Sequence, residues 1–133
     1  MRHVVLASHH RFAQGLTDTL TFLGAKCDFH VICAYVDDQL LEPQVEAVFN
    51  EFDPKDEVLV LTDILGGSVN QNFMPHIGPN VFVVAGVNVP LAMELCLTPE
   101  PLTTENIEGA ITTATQSIRL INTLTVEDDE DDE

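Results

Sequence analysis

The sequence predicts an α/β fold: a small, doubly wound and mainly parallel sheet with helices on both faces. Three short runs, VVLA, VLVLT and VFVVA, are apolar at consecutive positions and do not alternate with polar residues. Strands of this kind are buried on both faces, as in a parallel sheet that helices cover on each side. Segments with helical periodicity separate these runs, and strands that alternate with helices form βαβ units with right-handed crossovers.

Four strands are predicted, and each is a short apolar run that ends at a polar or glycine-containing turn. The first covers residues 3–7. The second, residues 29–35, is rich in the β-branched and aromatic residues that favour strands. The third covers residues 58–62, and the fourth covers residues 81–85.

Five helices are predicted from apolar residues that recur every three or four positions. Gly24 is a typical stop for the first helix, and the second helix must end before Pro54. Pro90 suits the first turn of the fourth helix, where a missing N–H is tolerated. The predicted helices run over residues 11–24, 41–53, 68–75, 90–97 and 103–121.

Composition defines the class of protein before any motif is considered. The chain has 133 residues, 45% of them hydrophobic and 20% charged, which is enough to form one domain with a buried core. We expect that domain over residues 1–126 and a solvated, disordered tail over residues 127–133, which are all acidic. The formal net charge of -17 opposes binding to nucleic acid.

The cellular location is predicted from the cysteines and the apolar runs. Three cysteines without close spacing indicate reduced thiols and not a disulfide framework. The apolar runs are far shorter than the ~20 residues that span a bilayer. We therefore expect a cytoplasmic protein that does not insert into the membrane.

Ligands of doubly wound sheets bind beyond the carboxyl ends of the strands, near the point where the strand order reverses. The candidate site residues are therefore those that directly follow each predicted strand. The segments there are Ser8-His9-His10-Arg11, Val36-Asp37-Asp38, Asp63-Ile64-Leu65-Gly66-Gly67-Ser68 and Gly86-Val87-Asn88-Val89-Pro90.

Several common chemistries are unsupported by these segments. Neither the GxGxxG pattern of dinucleotide sites nor the GxxxxGK[ST] pattern of P-loops is present. Ser8 beside His9 lacks the GxSxG elbow of a hydrolase. His3, His9 and His10 are an alternative set of zinc ligands, but their spacing matches no familiar set. The sequence thus requires no metal and no cofactor.

A histidine, a carboxylate and a Gly-Gly-Ser turn remain, and together they suit phosphoryl transfer. A neutral imidazole nitrogen is a good nucleophile towards phosphorus when the other ring nitrogen carries the proton. Asp63 is placed to accept that N–H and to stabilise positive charge on the ring. Gly66, Gly67 and the Ser68 hydroxyl offer donors to phosphate oxygens at the start of a helix.

Three segments together resemble one known family. LASHHRFAQGL, VLVLTDILGGSVNQ and VVAGVNVPLAMEL are similar to the signature segments of mannose-family IIA domains of the bacterial phosphoenolpyruvate-dependent sugar phosphotransferase system. They occur in the family's order, each at a strand end, and the similarity extends over nearly all of residues 1–121. The resemblance maps the family's active histidine onto His9, its orienting aspartate onto Asp63 and its phosphate-side serine onto Ser68.

The resemblance implies a phosphohistidine carrier. Such a carrier takes a phosphoryl group from the phosphocarrier protein HPr and passes it to a separate IIB component, which phosphorylates sugar entering through a IIC/IID permease. It also implies a homodimer in which a C-terminal strand is exchanged between subunits, and residues 122–126 are the candidate for that strand. Two positions differ from the usual pattern: His10 stands where many members have glycine, and Val69 follows the Gly-Gly-Ser turn where many have proline.

Alternatives remain open at this point. His10 is a second candidate for the nucleophile, although we expect it to begin the first helix and point outward. Arg11 is a candidate for contact with phosphate or an acidic partner, and Asn88 is either a site residue or a helix cap. Two other functions fit the same residues: the phosphotransfer subunit of a dihydroxyacetone kinase, and a non-catalytic regulatory module that histidine phosphorylation switches.

Overall fold

The computed structural model describes residues 1–124. Within them the strands are β1 (Arg2–His9), β2 (Asp28–Ala34), β3 (Glu57–Thr62) and β4 (Val81–Ala85). The α-helices are α1 (Phe12–Phe22), α2 (Leu41–Asn50), α3 (Ser68–Phe73), α4 (Val89–Leu97) and α5 (Thr104–Thr115). Short 3₁₀-helices cover Met74–His76 and Ile121–Thr123.

The strands form one parallel sheet in the order β2-β1-β3-β4, which confirms the predicted α/β class. The order reverses at β1: the chain moves from β1 outward to β2, then returns to β3 on the other side. The carboxyl ends of β1 and β3 are adjacent at this reversal. Loops that follow these two strands therefore meet at one edge of the sheet.

Helices cover both faces of the sheet, as the continuous apolar strands require. On one face α1, α4 and α5 pack against alternate residues of the strands, and Leu20, Leu95 and Ala110 are buried there. On the other face α2 and α3 contribute Val45 and Phe73. The central strands β1 and β3 are almost fully enclosed.

The three cysteines are free and half-buried. Burial, reinforced by a hydrogen bond with Cys27, raises the pKa of the Cys96 thiol to about 12. Cys96 therefore stays protonated at neutral pH and behaves as a small apolar residue.

The predicted bounds were wrong for the last helix, which was expected to continue to residue 121. It ends at Thr115, within a threonine-rich stretch whose side chains lose rotamer freedom in a helix. Hydroxyl groups there donate to carbonyls one turn back, and the Ser117 hydroxyl binds the carbonyl of Ala114. Ile118 is exposed, so within residues 1–124 no surface covers the apolar side chains that continue the helical periodicity beyond Ala114.

The bounds of the other strands and helices differ from the predicted ones by at most three residues. β1 extends to His9 because its pairing with β2 continues as far as His9 opposite Ala34. The described part of the predicted C-terminal strand contains the 3₁₀-helix Ile121–Thr123 and Leu124, and forms no strand. The remainder of that segment and the predicted acidic tail lie outside the described residues. Within residues 1–124, none of the helices is both long and apolar enough to cross a bilayer.

Candidate functional site

His9 lies at the carboxyl edge of the sheet, at the point where the strand order reverses. It is the last residue of β1, so its backbone is held by pairing with β2 while its side chain stands at the edge. The imidazole is 35% exposed. A ring in this position is anchored by the sheet and is still accessible to a reactant.

Asp63 directly follows β3 and binds His9 twice. Its Oδ2 accepts the backbone N–H of His9 at 2.9 Å and lies 3.0 Å from the ring atom Nδ1, while Oδ1 is 3.3 Å from Nδ1. An ionised carboxylate can only accept hydrogen bonds, so this geometry assigns the proton of the neutral ring to Nδ1. The lone pair then lies on Nε2, which is the nucleophilic position.

The Gly-Gly-Ser turn faces Nε2. Ser68 is the first residue of α3, and its Oγ lies 3.4 Å from Nε2. Gly67 passes so close that an added Cβ would lie 3.2 Å from Cε1 of His9, so a side chain at this position would press on the ring. Gly66 has φ +75°, a left-handed conformation that favours glycine.

The turn is held in place by side chains of α3. Asn70 Oδ1 accepts the backbone N–H of Gly66 at 3.1 Å, and the Gln71 side chain donates to the Gly66 carbonyl at 2.8 Å. The N–H groups of Ser68 and Val69 lie in the first turn of α3, where a helix offers them no internal acceptor. These groups are suited to the oxygens of a phosphoryl group.

Tyr35 is a site residue that the sequence analysis did not single out. Its hydroxyl lies 2.6 Å from Ser68 Oγ, and its ring centroid is 5.6 Å from that of His9. Tyr35 has φ +68°, which is unusual for a residue with a large side chain and turns it over the site as β2 ends. The tyrosine and serine hydroxyls thus stand together beside Nε2.

His10 and Arg11 follow His9 in the chain, and neither side chain bonds Asp63. His10 does not begin the first helix as expected: it adopts φ +57°, and its N–H donates to the Ala34 carbonyl. Arg11 precedes α1 at the exposed rim, and its guanidinium makes no ion pair within residues 1–124. Neither side chain contacts Asp63, so the structure unites Asp63 with His9 and not with His10.

Other candidate residues have structural roles. Asn88 caps α4 through a 2.9 Å hydrogen bond from Leu91 N–H, and its amide group donates to the Ala114 carbonyl. Ser8 is fully buried and uses its hydroxyl to accept the Ala13 N–H and to donate to the His10 carbonyl. It is therefore not part of a hydrolase dyad.

The structure excludes a zinc site formed by His3, His9 and His10, because His3 lies at the opposite end of β1 from the other two histidines. His3 lies six positions before His9, which corresponds to about 20 Å along a strand. Within residues 1–124, the group of histidine and acidic side chains that converge closely enough for a metal contains His3, and not His9.

Known proteins that are similar to this chain belong to sugar phosphotransferase systems. The EIIA-man family, described as "PTS system fructose IIA component", matches residues 3–115. A solved structure from Klebsiella pneumoniae, described as a phosphoenolpyruvate-dependent sugar phosphotransferase system permease, is 38% identical with a TM-score of 0.82. The alignment covers 92% of each chain.

Two further structures are more distant in sequence. The IIA protein associated with a fucose utilization operon of Streptococcus pneumoniae is 26% identical, with a TM-score of 0.72 and coverage of 91% of this chain and 93% of that one. The mannose/sorbose specific IIA subunit of Enterococcus faecalis is 22% identical, with a TM-score of 0.77 and coverage of 93% and 97%. A search of curated proteins returned no match.

The Asp63 contacts predict the tautomer of His9, which NMR can measure. At alkaline pH we expect the imidazole nitrogen shifts of His9 to report a proton on Nδ1 and none on Nε2. In Asp63→Ala the acceptor is lost, and the ring should revert towards the mixture of tautomers seen for a free imidazole. His76 serves as an internal control because its Nε2 faces Glu46 and should not respond. An unchanged His9 spectrum in Asp63→Ala would contradict the assignment.

Proposed function

Because the chain belongs to the mannose-type IIA family of the bacterial sugar phosphotransferase system, we propose that it is a phosphohistidine carrier with His9 as the acceptor. Its donor is phospho-HPr in the cytoplasm, and its acceptor is a separate IIB component that serves a IIC/IID permease. The observation that supports His9 is its imidazole, held at Nδ1 by Asp63 with Nε2 exposed beside Ser68.

The proposed reaction exchanges one P–N bond for another. The Nε2 lone pair of His9 attacks the phosphorus of the donor's phosphohistidine, and the P–N bond to the donor breaks as the new bond forms. The donor imidazole leaves with the electron pair of its broken bond. Positive charge that develops on the His9 ring is stabilised by the Asp63 carboxylate through Nδ1–H. Transfer to the IIB component is the same exchange with His9 as the leaving group.

The phosphoryl oxygens are proposed to bind the groups that surround Nε2. The N–H groups at the start of α3 and the Ser68 hydroxyl supply donors, and Tyr35 supplies a further hydroxyl. Arg11 at the rim is proposed to contact the incoming phosphoryl group or an acidic patch of a partner. Catalysis in this arrangement rests on positioning and charge stabilisation, so no metal ion is required.

Phosphorylation of the purified chain tests the assignment of His9. We expect phosphoenolpyruvate, enzyme I and HPr to add one acid-labile phosphoryl group, seen by intact mass under alkaline conditions. His9→Ala should abolish the gain, because no other imidazole is held by Asp63. His10→Ala is the matched control and should keep it.

The other results of this experiment distinguish the alternative nucleophile and the alternative functions. No gain in the wild type contradicts the carrier, and a gain lost only in His10→Ala moves the nucleophile to His10. Release of the group to a dihydroxyacetone kinase subunit carrying ADP, and not to a IIB protein, would favour the kinase alternative. A stable phosphoprotein that passes the group to neither would favour a regulatory module.

Tyr35 is expected to accelerate transfer without being required for it. Removal of its hydroxyl in Tyr35→Phe leaves Ser68 without its 2.6 Å partner and removes one donor to the phosphoryl group. Loss of one such hydrogen bond, about 1.4 kcal/mol, corresponds to a rate about tenfold lower. Rapid-quench phosphorylation by phospho-HPr measures this rate, and thermal unfolding checks stability. Unchanged transfer would show that the Tyr35 hydroxyl does not contribute to the reaction. Gln14→Ala, which removes an exposed amide that bonds Asp18 on α1, is the control.

A homodimer is proposed to form through the β4 edge of the sheet. β4 has no neighbour on its outer side within residues 1–124, and it borders an open groove lined by Ile77, Phe82, Ile107 and Ile111. The segment that follows α5 also leaves apolar side chains exposed, namely Ile118, Leu120 and Ile121. An uncovered strand edge next to apolar surface is typical of an interface.

Light scattering after size exclusion tests the homodimer. The wild type should elute with about twice the mass of one chain. Ile111→Glu places a charge in the groove and should yield monomers, whereas Thr112→Glu, at the next exposed position of α5, should remain dimeric. A monomeric wild type at micromolar concentration, or a dimer unaffected by Ile111→Glu, would contradict the proposed interface.

A further inference from the structure

A second group of histidine and acidic side chains lies at the amino end of the sheet, opposite the His9 edge. His3 of β1 and Asp28 of β2 are register partners, and His30 follows Asp28 by two positions. Register partners share a face of the sheet, as do residues two apart in a strand. The backbone pairing therefore places His3, Asp28 and His30 together on the face that α2 and α3 cover.

Two imidazole nitrogens converge on one carboxylate oxygen in this group. Asp28 Oδ2 lies 2.6 Å from His3 Nδ1 and 2.8 Å from His30 Nε2. The three potential ligand atoms lie within 4.8 Å of one another. An imidazole nitrogen that carries no proton repels a carboxylate oxygen. Each of these two contacts therefore requires either an N–H proton or a metal ion between the nitrogen and the oxygen.

A carboxylate and an aromatic ring hold the imidazole of His3 in place. Its other nitrogen, Nε2, lies 2.9 Å from Asp56 Oδ2, and its face stacks on Phe52 at a centroid distance of 4.1 Å and an angle of 5°. The side chain is only 9% exposed. A histidine that donates one N–H to a carboxylate presents its second nitrogen as a well-oriented ligand, as is usual around protein-bound zinc.

We propose that His3 Nδ1, His30 Nε2 and the Asp28 carboxylate bind one zinc ion, with Asp56 as the acceptor that orients His3. Two imidazoles and a carboxylate are ligands that zinc accepts, whereas magnesium and calcium prefer sites built from oxygen alone. His30 and Asp28 are 22% and 37% exposed, which leaves a path for the ion and room for a water ligand.

The competing occupant is a proton on His3. Burial alone lowers the pKa of His3, but hydrogen bonds with Asp28 and Asp56 outweigh it and raise the pKa above its ordinary value. A proton on Nδ1 would make the group an ion-pair network that ties β1 to β2. Zinc and that proton occupy the same position, so zinc binding measured directly distinguishes the two.

Zinc titration against a chromophoric chelator at neutral pH tests the site. The chain should carry no tag, because Met1 lies 3.3 Å from Asp56 and a histidine tag binds zinc itself. We expect one equivalent to bind to the wild type, and His30→Gln to weaken binding at least tenfold. His76→Gln is the matched control: His76 stacks on Phe49 at 4.1 Å and 5° and faces Glu46, but has no second histidine beside it.

His9→Gln separates this site from the proposed phosphorylation site. We expect His9→Gln to bind zinc as the wild type does. Co²⁺ should give visible absorption bands in the wild type and in His9→Gln, and none in His30→Gln. Absence of zinc binding, equal binding by wild type and His30→Gln, or loss of binding in His9→Gln alone would each overturn the proposal. None of these results depends on whether His9 accepts a phosphoryl group.

Discussion

The structure at the candidate site depends on one carboxylate that binds one histidine through two atoms. Asp63 accepts the backbone N–H and the ring N–H of His9, so it fixes both the position of the residue and the rotation of its imidazole. Both residues stand at the ends of paired central strands. The register of β1 against β3, which sets Ala7 opposite Thr62, therefore also sets the distance between carboxylate and ring. The buried apolar sheet thus supplies the precision that phosphoryl transfer needs.

Most of the fold was predictable because its determinants are local and repeated. Strands that are apolar at consecutive positions indicate a covered parallel sheet, and β1, β3 and β4 lie where that pattern predicted. The end of α5 was not predictable in this way. Its apolar periodicity continues to Ile118, but periodicity reports only which side chains could be buried, and none of the elements within residues 1–124 covers Ile118.

The arrangement around His9 was predictable in part. His9, Asp63 and Ser68 follow strand ends, and adjacent parallel strands bring such residues together. Tyr35 gave no signal because its position depends on a left-handed backbone that a tyrosine rarely adopts, and that only the surrounding structure imposes. The left-handed turn at His10 is of the same kind. Asp63 bonds His9 and not His10, and two adjacent histidines in a sequence do not indicate which of them will be bonded.

The two ends of β1 show how environment separates the roles of identical side chains. At the carboxyl end, His9 has one carboxylate at Nδ1, an open Nε2 and 35% exposure, so its free nitrogen can reach an external electrophile. At the amino end, His3 has carboxylates at both nitrogens, an aromatic ring against its face and only 9% exposure. A phosphoryl group there would displace Asp28 or Asp56 and meet like charge from the other. A cation would instead be attracted by both carboxylates. We therefore assign an anionic group to His9 and a metal ion to His3.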